Sequence, residues 1–322
     1  MDKQKPMFRP EGVYVAMMTP FREDGTINEE VVRQIVNFLV EKGVDGIFPL
    51  GSVGEFLHLS FDEKVSLMRM VYEEARGRVA VTPGATSVNA KESVALASKA
   101  KEMGCQAVVL SPPFYFPITQ DNMERHFEIV ADSVDIPVIL YNIPLFSPPI
   151  SYDVVKRLSR RKNVVGMKDS SGSMVDLLHF IDKIRLIGED LAILVGREEI
   201  FYPGLMVGAT GCLSATCGIL PETMVGIYEA WKRKDYELAK ELQYSILLLV
   251  RSMFSIPFPI GFKTALEIRG FKMGPPRQPL SEAEYFKYLG TRNRIEKIMK
   301  PILENLRATK AKVAPLQSAR SA

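Results

Sequence analysis

"VVGMKDSSG", Val164 to Gly172, decides how this chain is read. Its first four residues are an apolar run of the kind that forms a short strand buried on both faces, as in a parallel sheet. The run ends on Lys168, a cation where the pattern offers no water. Outward from it the same motif recurs as "VYVAMMTPF" (from Val13), "GIFPLG" (from Gly46), "AVTPGA" (from Ala80), "AVVLSPP" (from Ala107), "PVILYN" (from Pro137), "LAILVG" (from Leu191) and "GCLSATCG" (from Gly211). With the lysine run these make eight strands at intervals of about 20 to 35 residues, the period of a (β/α)8 barrel.

The intervening segments read as helices. In "INEEVVRQIVNFLVEKG", Val31, Val32, Ile35, Val36 and Leu39 form one apolar stripe that stops at Gly43. Ser60 with Glu63, and Asn89 with Glu92, have the spacing of capping boxes, and Ser151 precedes a further periodic segment. The alternation predicts an α/β chain built as a TIM (β/α)8 barrel with a C-terminal helical extension. A flavodoxin-like open sheet is the alternative, and eight strands without a break in topology favour closure. Residues 1–235 are expected to form the barrel, 236–307 the extension, and 308–322 a disordered tail.

Composition narrows the function. The 322 residues are 47% hydrophobic, enough for a sizeable core, and 41 basic against 38 acidic side chains leave a net charge of +3. No basic stripe interleaved with aromatics runs along the chain, which argues against nucleic acid as a partner. Cys105, Cys212 and Cys217 are too few and irregular for a disulfide framework, and His58, His126 and His179 stand too far apart for ligand spacing. The expectation is a cytoplasmic protein whose site holds no metal and needs no cofactor. Neither an apolar leader region nor a run long enough to span a bilayer is present in the sequence, so no membrane partner is expected.

In a (β/α)8 barrel the active face gathers the C-terminal ends of the strands. Lys168 closes one strand; burial disfavours an ammonium relative to a free amine, and a free amine attacks carbonyls. It could equally lie one residue past the strand, exposed or paired with Asp169. Tyr141 ends the preceding strand, where a phenol can shuttle a proton or simply pack its ring. "GSVGEF", from Gly51, lets backbone amides and the Ser52 hydroxyl converge on an anionic group, although many strand-to-helix turns look alike. "SPPFYFP", from Ser111, is a rigid aromatic loop whose Tyr115 either packs or reaches a site.

Taken in order, "TPF", "GSVGEF", "PPFYF" with "TQ" after it, "YNIP", "VVGMKDSSG", "LVGREE" and "GATGCLS" resemble the motifs of one family. These are the class I, Schiff-base-forming pyruvate lyases typified by dihydrodipicolinate synthase and N-acetylneuraminate lyase. The resemblance runs from about Gly12 to Pro279. It implies pyruvate, or another 2-oxo acid, held as an imine on Lys168, with Tyr141 as the proton shuttle. It also implies that Ser52 and the Val53 amide hold the pyruvate carboxylate, that Tyr115 is a relay across a subunit interface, and that Gly196 and Leu213 line the pocket with their backbones. A homotetramer arranged as a dimer of dimers is implied as well.

The departures bear on the second substrate. Synthases that condense pyruvate with aspartate semialdehyde carry an arginine where this chain has Phe146, and a pair of threonines where it has Ser52 and Val53. "YNIPLFS" is closer to the aldolase branch, and Glu198 with Glu199 occupy the place where sialic acid lyases hold a polyol tail. Ser170 matches their threonine near the reacting hydroxyl, while Ala215 stands where those lyases have a serine. The reading that follows is reversible cleavage of a 2-keto-3-deoxy sugar acid to pyruvate and an aldehyde. The alternatives are dihydrodipicolinate synthesis, with another cation such as Arg197 replacing the arginine, and dehydration of a sugar acid through the same imine. A pyruvate sensor without activity would need neither the lysine nor the tyrosine.

Overall fold

The computed structural model describes residues 8–318, with side chains through 306. Eight strands alternate with helices: β1 (Gly12–Ala16), β2 (Gly46–Phe48), β3 (Ala80–Val81), β4 (Val108–Leu110), β5 (Val138–Asn142), β6 (Val164–Asp169), β7 (Ala192–Val195) and β8 (Gly211–Ser214). All eight runs expected to be strands are strands. They are buried almost throughout because helices cover one face and the packed barrel interior the other. The ladder runs β3-β2-β1-β8-β7-β6-β5-β4, and its registered pairs are parallel.

Closure falls between β3 and β4. Gln106 N–H donates to Val81 O at 3.1 Å, Val109 N–H to Pro83 O at 2.9 Å, and Ala85 N–H to Val109 O at 2.9 Å, with a parallel bridge between Gly84 and Val109. β3 is only two residues long because Pro83 can give this ladder a carbonyl but no donor. Gly84 passes so close to the Leu50 carbonyl that any side chain there would collide with it. The sheet is therefore a closed barrel, not the open alternative.

Outside it lie α1 (Glu29–Glu41), α2 (Phe61–Ala75), α3 (Ala90–Met103), α4 (Gln120–Ser133), α5 (Tyr152–Leu158), α6 (Met174–Leu186) and α7 (Phe201–Met206). The α1 stripe is buried as its spacing requires, and Ser60 and Glu63 make a reciprocal capping box on α2. Asn89 caps α3 through Lys91 N–H, but Glu92 turns instead to Lys64 and Ser87, so no box forms there. A short α8 (Thr216–Ile219), which the sequence reading did not contain, precedes the eighth barrel helix α9 (Pro221–Lys232), with proline at its start.

Three further helices follow: α10 (Tyr236–Met253), α11 (Ile260–Ile268) and α12 (Glu282–Ser318). The boundary expected at 235 falls between α9 and α10. Of the disordered tail expected over 308–322, residues 308–318 continue α12, and 319–322 lie outside the described residues. Among the described residues no helix is long and apolar enough to cross a membrane, and no cluster of His, Cys, Asp and Glu stands ready for a metal.

One buried group makes the barrel sensitive to acid. His126 on α4 is enclosed beside Phe127, its Nε2 has no hydrogen-bond partner, and burial pushes its pKa down to about 4. The folded state thus favours the neutral ring, so this contribution is whole above the ordinary histidine pKa of about 6.5 and is lost as pH falls from there towards 4. The melting temperature should fall across that window, with a loss on the order of 3 kcal/mol by its lower end. His126→Phe should flatten the curve; an unchanged slope would exclude His126 as the cause.

Candidate active site

β5 and β6 run side by side with Tyr141 opposite Lys168 and Asn142 opposite Asp169. Registered residues of a parallel pair project to the same face, and their successors project to the other. Tyr141 and Lys168 therefore point together into the barrel mouth, while Asn142 and Asp169 point away. The outer pair is locked: Asn142 Nδ2 donates to Asp169 Oδ1 at 2.8 Å, Ser171 Oγ donates to Asp169 Oδ2 at 2.8 Å, and Ile150 N–H donates to Asn142 Oδ1 at 3.0 Å. Burial raises the Asp169 pKa, and these hydrogen bonds offset part of the rise.

Lys168 is thus left without the carboxylate beside it in sequence. It is 3% exposed and, among the described residues, has no salt-bridge partner. Its Nζ lies 4.0 Å from the centre of the Tyr141 ring and 5.2 Å from that of Phe48. An unpaired amine held against a tyrosine ring at the mouth of a barrel can form an imine with a carbonyl compound, with a phenol beside it as a candidate to exchange protons.

Ser52 and Val53 form a tight turn, Ser52–Gly54, at the end of β2, anchored where Thr19 Oγ1 donates to Gly54 O at 2.7 Å. The next residue, Glu55, is left-handed with φ 57 and is buried. Its carboxylate accepts from Lys263 Nζ at 2.8 Å and from Arg277 N–H at 2.9 Å. Lys263 comes from α11, so the extension reaches beneath the loop; its burial outweighs Glu55 and lowers its pKa. On the far side Gly196 N–H donates to Asp169 O at 2.7 Å, and a side chain on Gly196 would overlap Ser170 Oγ and come within 3.0 Å of Lys168 Cε.

Lys168, Tyr141, Ser52, Val53, Ser170, Gly196 and Glu198 all border one cleft, with about 500 Å³ of empty space partly open to solvent. Three expected residues do not. Tyr115 is 87% exposed with φ 83, and its ring meets that of Phe116 edge-on. Leu213 is enclosed within β8. Glu199 is paired with Arg197 at 2.8 Å. Glu198 does border the cleft, but its Oε1 accepts from Ala215 N–H, Thr216 N–H and Thr216 Oγ1 at 3.0 to 3.1 Å, and its burial raises its pKa. The sequence reading missed Phe254, Phe258 and Phe262. They belong to the extension, where "MFSIPFPIGF" carries only a core-like apolar pattern.

The profile of the Dihydrodipicolinate synthetase family matches residues 9–298. The chain belongs to that family. Over 282 residues it is 37% identical to the 4-hydroxy-tetrahydrodipicolinate synthase of Methanopyrus kandleri, covering 86% of this chain and 92% of the relative. The dihydrodipicolinate synthase structure of Aquifex aeolicus superposes with a TM-score of 0.84 at 29% identity, covering 91% of this chain and 98% of that one. YagE, a prophage protein of E. coli K12 described as belonging to the dihydrodipicolinic acid synthase family and solved with pyruvate, gives 0.83 at 28% identity, covering 90% and 98%. As a member of the dihydrodipicolinate synthetase family, the protein is a class I pyruvate-dependent lyase on a TIM barrel.

Two outcomes test this geometry within the family fold. Gly196→Ala should fold but lower turnover by about a hundredfold, because misplacing a reacting group by an ångström has that scale of effect; wild-type turnover would show that Lys168 tolerates the intrusion. Lys263→Met should cost about 3 to 5 kcal/mol in denaturant unfolding, by leaving Glu55 buried and unpaired. Adding Glu55→Gln should recover part of that loss, and a double variant no better than the single would separate the two residues.

Proposed function

We propose that Lys168 forms an imine with pyruvate and that the protein reversibly joins or splits pyruvate and an uncharged aldehyde. Cleavage would start from a 2-keto-3-deoxy acid bearing a C4 hydroxyl. The Lys168 amine adds to the 2-oxo carbon, and loss of water gives the protonated imine. Tyr141 takes the C4 hydroxyl proton, the C3–C4 electrons move into the imine to give an enamine, and the aldehyde leaves. A proton returns to C3, and water releases pyruvate. Ser52 and the Val53 amide hold the carboxylate, Gly196 leaves room for the lysine, and Ser170 lies beside the reacting hydroxyl.

The observation that carries the choice of aldehyde is the pairing of Arg197. Phe146 stands where a second carboxylate would need an arginine, and packs on Phe258 at 5.3 Å between ring centres. Arg197, the cation that borders the same cleft, gives its guanidinium to Glu199 and lies 4.6 Å from the Phe254 ring centre. An aldehyde that carries its own carboxylate would therefore meet, among the described residues, no free cation there beside Lys168. The sugar-acid version loses support too, since Glu198 and Glu199, expected to hold hydroxyls, are engaged by α8 and Arg197.

The names of the relatives favour a second reading, 4-hydroxy-tetrahydrodipicolinate synthesis from pyruvate and aspartate semialdehyde. In either case we infer a homotetramer, a dimer of dimers, in which Tyr115 of one subunit turns towards another's cleft.

Intact mass after treatment with pyruvate and borohydride should show a reduced pyruvyl adduct on wild type and none on Lys168→Ala. An adduct on both would move the imine to another lysine. Condensation with aspartate semialdehyde should be slow in wild type and rise about tenfold in Phe146→Arg. Efficient wild-type use of aspartate semialdehyde would establish the second reading.

A further inference from the structure

The geometry points to an aromatic or otherwise apolar aldehyde as the second substrate, its tail lying across the rings of Phe146 and Phe258. This rests on the imine reading of the same site and goes beyond it by naming the aldehyde.

The cleft at Lys168 does not end at Phe146. It shares Ser52, Ile143, Phe146 and Phe258 with a second hollow of about 710 Å³ empty space, which continues past Phe56, Leu57 and Phe114. A substrate held by its 2-oxo carbon on Lys168 must send its C4 substituent somewhere, and this passage starts at the reacting atoms. Its wall is aromatic: Phe258 lies 5.3 Å from Phe146 and 5.7 Å from Phe262, centre to centre. Phe146 is 44% exposed, so its ring is presented to the cleft and not consumed by the core.

The polar side chains along the same path are largely committed. Glu55 is taken by Lys263 and Arg277, Ser147 Oγ donates to Ile143 O at 3.3 Å, and Ser111 Oγ donates to Pro112 O at 3.3 Å. Besides Ser52, which the imine reading gives to the pyruvate carboxylate, His58 and Gln278 are what remains of the hollow's polar lining. A polyol tail would have to give up water at each hydroxyl for too few partners. An aromatic tail gives up little and gains offset or edge-on contacts with the rings.

The step balances without any co-reactant. The enamine carbon C3 bonds to the aldehyde carbon, the carbonyl π electrons move to oxygen, and that oxygen takes a proton. Water then hydrolyses the imine, replacing the water lost when it formed. Benzaldehyde would give 4-hydroxy-4-phenyl-2-oxobutanoate.

The test uses the full chain at saturating pyruvate, comparing kcat/KM for benzaldehyde and for glyceraldehyde with product mass as the readout. Benzaldehyde should be preferred by about tenfold or more, and Phe146→Ser should lower that ratio about tenfold. Equal or faster use of glyceraldehyde, no turnover of benzaldehyde, or a ratio unmoved in Phe146→Ser would overturn the proposal. Borohydride trapping on the same preparation separates the two failures. An adduct without the aldehyde preference sinks the aromatic tail alone, whereas no adduct removes the imine and the proposal with it.

Discussion

The site depends on one register. Had β5 and β6 paired a single residue differently, Lys168 would face Leu140 or Asn142 in the ladder, and the phenol and the amine would no longer share a face. Asn142 and Asp169 hold that register from the outside, joined to each other and to Ile150 and Ser171. The same contacts absorb the one carboxylate close enough in sequence to neutralise the lysine. Strand geometry and charge isolation thus come from a single set of hydrogen bonds.

The loops around that pair are steadied from behind. Gln243 on α10 donates to Glu198 O at 2.8 Å and accepts from Tyr202 N–H at 2.8 Å, which fixes the turn after β7. Lys263 on α11 does the same for the turn after β2 through Glu55. Arg277 extends this anchoring, reaching Gly25 O, His58 O and Glu63, whose carboxyl it holds down at about 2. Loop residues that must be placed to a fraction of an ångström need such locked supports.

Much of this was legible in the sequence, and the limits were physical. Strands flanked by Gly or Pro and filled with Val, Ile and Leu announce themselves, because both faces must be apolar. The cap at Ser60 is local and readable; Glu92 has the same spacing and was drawn off by Lys64, a tertiary partner no spacing rule contains. Lys168, Tyr141, Ser52 and Gly196 were found because strand ends converge in any barrel. Glu198 was found as a bordering residue and Glu199 was not one, and neither pairing was legible, since Arg197, Ala215 and Thr216 claim them only after folding. Phe254, Phe258 and Phe262, on the turn into α11 and on α11 itself, escaped because an apolar segment that packs on a barrel and one that also walls a cleft carry the same pattern.

The two halves of the cleft are built on separate parts of the chain. Lys168, Tyr141 and the Ser52–Gly54 turn belong to the barrel strands and the loop after β2, whereas most of the aromatic wall comes from the turn between α10 and α11, joined by Phe146 on the loop after β5. Mutational drift in that turn can reshape the wall without disturbing the ladder that aligns Lys168 with Tyr141. Such a division lets one scaffold diversify its partners over evolutionary time while its bond-making chemistry stays constant.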